Sequence, residues 1–288
     1  MTNTSTCTSV SPECPVSATT YGYRPNLGGN VFFVVIFGLC AIYNLIIGIK
    51  SKQKMFTIAL TVGSAMELAG YIGRIIMHQN PWNNSGFELQ IICLILAPSF
   101  VAAGIYWSLK HIVLFLGPEH SRVAPRLYPW IFVGCDIGSI LLQAAGGGVA
   151  ASATSANQTL LDVGNDIMIA GIAFQVVTMA AAGIVGVDFL IRLTRRRRSG
   201  EGAEEEKLSR LSARKFYLFC AGEAFAYITV LIRCIYRIPE MAGGWGNPLM
   251  QNENEFLVLD GMMIALAVVT LTILHPYFTC PFVRPDRT

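Results

Sequence analysis

Seven stretches of the chain stay apolar for long enough to cross a bilayer as a helix, which takes about 20 residues. They cover residues 28–49, 55–78, 88–116, 127–152, 166–193, 215–237 and 255–278, and polar or charged segments separate them. None breaks into the short alternating runs of a membrane β-barrel. The pattern therefore predicts an all-α fold, a seven-transmembrane helix bundle forming one domain over 28–278. Residues 1–27 are rich in Ser, Thr and Pro and are expected to be a disordered tail, having too little apolar content to fold alone. They also lack the basic and apolar regions of a signal peptide, which leaves the first span as the targeting signal. A loop at about 194–214 is basic and then acidic, and 279–288 is a short tail.

Composition agrees with a membrane solvent. The 288 residues are 53% hydrophobic and only 14% charged, against about a quarter charged in a soluble domain. Charge placement then orients the bundle. Of the 21 basic residues, 17 lie in one set of loops and helix ends, from Lys50, Lys52 and Lys54 to Arg284 and Arg287. The opposite set holds Arg24, while Arg74, Arg233 and Arg237 lie in or at the ends of spans. The positive-inside rule puts the N-terminus outside and the C-terminus in the cytosol. Three glycosylation acceptors, Asn3, Asn83 and Asn157, fall on the outer side. Together these point to the secretory pathway and the plasma membrane. Cys7 and Cys14 share the oxidising side and could pair, and Cys280 is a palmitoylation candidate. The run from Arg195 to Arg198 reads as a cytosolic anchor, with contact to anionic lipid or a phosphorylated switch at Ser199, Ser209 or Ser212 as the alternatives, and is too short a patch for nucleic acid.

Ionisable residues inside the spans are the candidates for function, because each costs about 2.5–3.5 kcal/mol to insert at mid-bilayer. In span 2, Glu67, Tyr71 and Arg74 are spaced i, i+4, i+7 and share one face. In span 4, Asp136 and Gln143 are two turns apart on one face, followed by Gly146, Gly147 and Gly148. These glycines suit close helix packing or a local break, since no Gly-Lys-Ser/Thr makes them a phosphate loop. Span 6 carries Glu223 in its inner half, Arg233 and Arg237 near its outer end, and then Glu240. Span 7 places Asp260 level with those arginines. The expectation is one polar cavity with a basic, charge-paired outer mouth and an acidic floor, suited to an ionic head and a greasy tail. The alternative is a set of structural ion pairs locking the bundle. The four histidines have no metal-ligand spacing, so neither metal nor other cofactor is expected.

Four of these segments together resemble the fungal RTA1-like family, also called lipid-translocating exporters. They are ELAGYIGR in span 2, DIGSILLQAAGGG in span 4, IRCIYRIPEMAGGWG in span 6 and ENEFLVLDGMM with a later His275-Pro276 in span 7. The resemblance runs over nearly all seven spans. It implies lipid movement and resistance to toxic amphiphiles, with sphingoid long-chain bases among the cargoes, porphyrin or haem in one branch, and no ATPase.

The function expected is ATP-independent translocation of amphiphilic lipids such as sphingoid long-chain bases, with membrane lipids as partners and self-association left open. Asp136 or Glu67 would hold a cationic head, while Arg74, Arg233 and Arg237 would hold anionic groups. Glu67, Asp136 and Glu223 could carry a coupled proton. The competing class is a seven-helix lipid-sensing receptor, although span 3 lacks Asp-Arg-Tyr and span 7 lacks Asn-Pro-x-x-Tyr. An enzyme is not expected.

Overall fold

A computed structural model describes residues 7–51, 53–117, 121, 124–152, 158–198, 210–244 and 246–280. It is all-helical, with no strand among the described residues, and seven helices are long and apolar enough to cross a membrane. These are α1 (Leu27–Lys50), α2 (Lys54–Gln79), α3 (Asn84–Leu116), α4 (Leu127–Ser152), α5 (Gln158–Arg198), α6 (Arg210–Ala242) and α7 (Glu253–Thr279). An odd number of crossings leaves the two termini on opposite faces of the bundle, here the N-face and the C-face. Helix α5 has 41 residues, about 60 Å at 1.5 Å per residue, and outruns its apolar stretch at both ends.

Local chemistry sets the ends. Asn26 caps α1 by accepting from the Gly29 N–H at 2.9 Å, and Asn83 caps α3 by accepting from the Gly86 N–H at 2.8 Å. Asn83, one of the three glycosylation candidates, is thus a helix cap, while Asn3 and Asn157 lie outside the described residues. Helix α3 stops at Gly117, whose φ of 124° suits glycine. Helix α7 is irregular: its turn Glu253–Glu255 leads into a π-helical stretch, Phe256–Met262, before the α-helix Met263–Ile273. After a break at Leu274 and His275, a last turn Pro276–Thr279 ends the span.

Missing side chains let helices meet at backbone distance. A Cβ on Gly73 of α2 would lie 2.7 Å from the Gly86 carbonyl oxygen of α3. A Cβ on Gly146 of α4 would lie 2.6 Å from both the Gly164 oxygen and the Met168 nitrogen of α5. Of the two roles expected for the glycine run, close packing is the one observed, and α4 continues through it unbroken. The buried face of α4 runs Phe132, Asp136, Ser139, Gln143, Gly146 and Ala150. An acid and an amide therefore sit in this apolar span because their face meets protein rather than lipid.

Residues 7–26 carry contacts that a composition rich in Ser, Thr and Pro did not announce, while residues 1–6 of the expected tail lie outside the described residues. Cys7 and Cys14 form a disulfide, Val16–Ala18 makes one 3-10 turn, and the segment lies against the N-face. Trp82 Nε1 donates to the Cys14 carbonyl at 3.1 Å, and Asn80 Nδ2 donates to the Thr8 carbonyl at 2.8 Å. Tyr21 supplies the burial a polar tail lacks. It packs with Met77, Met168, Ile172, Met241 and Met250, and its hydroxyl accepts from Gln90 Nε2 at 2.8 Å. At the C-face, Cys280 is 1% exposed and packs with Phe189, Phe216 and Phe219, and this burial pushes its thiol well above the ordinary range. Acylation there needs an accessible thiolate, and the fold supplies none.

Gly146→Ala should force α4 and α5 apart and destabilise the protein by about 1–3 kcal/mol, the usual penalty of overpacking. Gly148→Ala, whose Cβ meets no atom within 4 Å, should leave thermal stability in detergent unchanged or slightly raised. Equal behaviour of the two variants would refute the close approach.

Candidate functional site

Seven of the ten residues singled out from the sequence gather in the N-face half: Glu67, Tyr71, Arg74, Arg233, Arg237, Glu240 and Asp260. Arg74 is wholly buried and held from four directions. Its Nε donates to Asn30 Oδ1 of α1 at 2.8 Å, and its Nη2 reaches Tyr23 Oη at 3.2 Å and Glu253 Oε1 at 2.9 Å. The Phe256 ring lies 4.3 Å from the guanidinium carbon, a cation–π contact. Burial pushes the phenols of Tyr21 and Tyr23 upward, and Arg74 pulls both back. The N-terminal segment is thereby tied to the lattice through the same guanidinium.

Arg233 links three helices. Its Nε lies 2.8 Å from Asp260 Oδ1 with the N–H not aimed at the oxygen, so the contact is charge to charge. Its Nη2 donates to the Leu94 carbonyl of α3. That carbonyl is free for a structural reason: its helical partner four residues on would be Pro98, which has no N–H. Arg237 pairs with Glu240 at 2.7 Å, and the Glu240 carbonyl accepts from Asn247 Nδ2 at 2.6 Å. Glu67, fully buried at mid-helix, lies within electrostatic reach of Asp260, Arg233 and Arg237, yet neither of its oxygens has a hydrogen-bond partner. Tyr71 stacks on Phe33 at 4.7 Å, and its hydroxyl fills the space a Cβ on Gly261 would need.

The other three residues lie elsewhere. Gln143 donates to Gln175 Oε1 at 3.2 Å, and Gln175 donates to Ser99 Oγ at 2.8 Å, a polar rung through α4, α5 and α3. Asp136 approaches Tyr106 of α3 without a well-formed hydrogen bond. Glu223, 6% exposed and without a hydrogen-bond partner, opens into a cavity of about 670 Å³ between α3, α5 and α6 in the C-face half. Of the ten residues, Glu223 is the one that lines this cavity, whose other walls are mostly apolar and include Leu109, Ile112, Val187 and Leu231.

Several contributors escaped sequence reading. Tyr21, Tyr23, Asn30 and Glu253 are drawn to Arg74 by contacts 44 to 179 residues apart, or by burial at the N-face, and no local periodicity announces them. Asp188, on the cavity wall, carried a readable signal: it is an acid inside span 5, four residues before Arg192, with which it pairs at 3.0 Å. His78 and His275 sit at opposite ends of the bundle, bonded to the Pro25 carbonyl at 2.7 Å and to Thr57 Oγ1 at 3.0 Å. Among the described residues, no three His, Cys, Asp or Glu side chains are grouped to hold a metal.

Seven apolar helices closed around buried charge define an integral, multi-pass membrane protein. Comparison with known proteins makes this specific. The sequence model of the RTA1 like protein family matches residues 60–282, and the chain belongs to that family. It is similar to the sphingoid long-chain base transporter RSB1 of Saccharomyces cerevisiae, with 33% identity over 281 residues, covering 89% of this chain and 73% of the relative. Protein RTA1 of the same yeast is 24% identical, covering 89% of this chain and 84% of its own length. The yeast protoporphyrin uptake protein 1 is 26% identical, covering 73% and 65%. These relatives bear the names of transport proteins or of the family, not of enzymes. No solved structure matches the chain.

Arg233→Gln should strand Asp260 as a buried, unpaired charge, a loss of about 3–5 kcal/mol, and deplete the monodisperse protein recovered in detergent. Arg233→Gln with Asp260→Asn should recover much of that loss. A double variant no more stable than the single one would show that the pair is not coupled.

Proposed function

We propose that the chain carries single-chain amphiphiles, sphingoid long-chain bases among them, across the plasma membrane without ATP. The observation that carries this reading is the largely apolar cavity inside a seven-helix bundle, with one buried carboxyl in its wall. A greasy tail can occupy such a space while a polar head meets the acid. Similarity to a relative named for sphingoid long-chain base transport supports the same class. The sequence has no Gly-x-x-x-x-Gly-Lys-Ser/Thr to bind a nucleotide, so movement is downhill or coupled to another gradient.

The polar lattice has a separate part in this reading. Arg74, Arg233 and Arg237 each already face a carboxylate of their own chain, so they hold the N-face half shut more readily than they grip an anionic cargo. Asp136, buried and without a well-formed hydrogen bond, stays the second acid available to an amine or a proton. The N-face is taken as the outer side. Basic residues crowd the opposite loops, and the Cys7–Cys14 disulfide suits an oxidising compartment.

In proteoliposomes of the purified protein, a fluorescent long-chain base should flip faster than in protein-free vesicles, while a phospholipid control should not. Asp136→Asn, nearly isosteric, should slow that flipping several-fold with the protein still folded. Acceleration of neither lipid would refute transport and favour a lipid-sensing receptor. An epitope placed before residue 7 should be stained on intact cells; staining only after permeabilisation would reverse the orientation.

A further inference from the structure

We infer that the α3–α5–α6 cavity is a binding site for a single-chain amphiphilic amine, entered sideways from the membrane between α5 and α6, with Glu223 holding the ammonium group. The inference deepens the transport reading and rests on it for the cargo's class, but the site stands on its own geometry.

Charge selects the head group. Among the described residues lining the cavity there is no Lys, Arg or His, and the acids are Glu223 and Asp188. Asp188 already has Arg192 at 3.0 Å and is about a third exposed at the rim. Glu223 is buried, neither of its oxygens has a well-formed hydrogen bond, and its cavity neighbours are Cys220, Ala224, Tyr227 and Ser108, which approaches it. The Ser108 hydroxyl is turned to the Ile105 carbonyl at 2.9 Å. An ionised carboxyl in such walls is costly unless a cation arrives to pair with it. An ammonium supplies that charge together with up to three N–H donors. A phosphate or a fatty carboxylate brings like charge to the same place and is rejected. The in-span acids of the N-face lattice do not offer this, because Asp260 and Glu67 already have guanidinium groups within reach.

Shape selects the tail and the route. About 670 Å³ falls within the usual range for one small ligand, roughly 300–1,000 Å³. Ile184, Val187 and Ile228 line the space and are also 69%, 55% and 52% exposed on the bundle's flank. In a membrane that flank faces lipid chains, so the mouth opens into the hydrocarbon. Within the cavity wall the Tyr227 hydroxyl crosses to α5 and donates to the Met179 carbonyl at 2.6 Å, packed against Gly183, and so ties α5 to α6 beside the space.

Full-length protein in nanodiscs is titrated with a nitrobenzoxadiazole-labelled long-chain primary amine. The labelled fatty acid of equal length and a labelled lysophosphatidylcholine serve as comparisons. The amine should bind at least tenfold tighter than either. Glu223→Gln should weaken amine binding about tenfold and leave fatty-acid binding no weaker. Gly186→Phe fills the cavity from a position where a Cβ meets no atom within 4 Å, and it should abolish amine binding without loss of thermal stability. Unchanged amine affinity in either folded variant, or equal affinity for amine and fatty acid, would overturn the site. If Glu223→Gln fails to fold, the Gly186→Phe result decides alone. Glu223-dependent amine binding without flipping would sink transport and keep the site. Flipping that survives both substitutions would keep transport and sink the site.

Discussion

A guanidinium cannot stay in hydrocarbon unless something answers it, and Arg233 shows how much of the bundle is arranged to do so. Its charge is met by Asp260 on α7 and its donors by the Leu94 carbonyl on α3. Leu94 is available because Pro98 breaks the helical hydrogen bond it would otherwise accept. Asp260 sits on a π-helical stretch of α7, with Phe256 and Gly261 as its buried companions. A proline in one helix, an arginine in a second and an irregular turn in a third form one device. Arg74 repeats the logic one layer further out, drawing in α1, α7 and the N-terminal segment. Replacing either arginine by a smaller polar residue removes a fastening as well as a charge.

This lattice makes the two halves of the bundle unlike. The N-face half is fastened by ion pairs, stacked aromatics and a disulfide-closed segment, and its glycines bring helix backbones together. The C-face half keeps about 670 Å³ of space between three helices, with an acid in the wall and a flank of apolar side chains turned outward. One half is thus closed by polar contacts while the other holds a space beside exposed apolar side chains. The contacts that fasten the N-face half are the tyrosine contacts to Arg74 and the acid pairs of Arg233 and Arg237. Each is polar, so water or a charged head group can compete for it, which a purely apolar seal would not permit.

The spans were legible because a membrane helix must be apolar over a fixed length, a one-dimensional constraint readable without knowledge of the fold. Their ends were less so. Helix α5 runs from Gln158 to Arg198, eight residues earlier and five later than its apolar stretch, because polar side chains extend a helix in water as readily as apolar ones do in lipid. The buried faces of α2 and α4 followed from helical spacing, and Glu67, Asp136 and Gln143 do point inward. Partners were not legible. Nothing in the spacing of α2 says that Arg74 meets Glu253, 179 residues away, and nothing in the tail says that Tyr21 finds a pocket of methionines. The cavity was hidden for a related reason: its walls are ordinary apolar residues, and emptiness has no sequence signature. The acid at Asp188 did have one, and its spacing to Arg192 was enough to notice it.

The division between halves also separates two uses of buried charge that look alike in a sequence. Glu67, Asp260 and Glu240 are acids near arginines, and what they do for the fold depends on those neighbours. Among the described residues Glu223 has no base beside it, and it stands on a wall with room next to it. A carboxyl placed so contributes nothing to stability that an apolar residue of the same size would not exceed. Its presence is therefore better explained by what enters the space than by what surrounds it. The same reasoning sets Asp136 between the two cases: it is buried against Tyr106, which itself lines the cavity, so it stands one side chain away from that space and has no arginine beside it among the described residues.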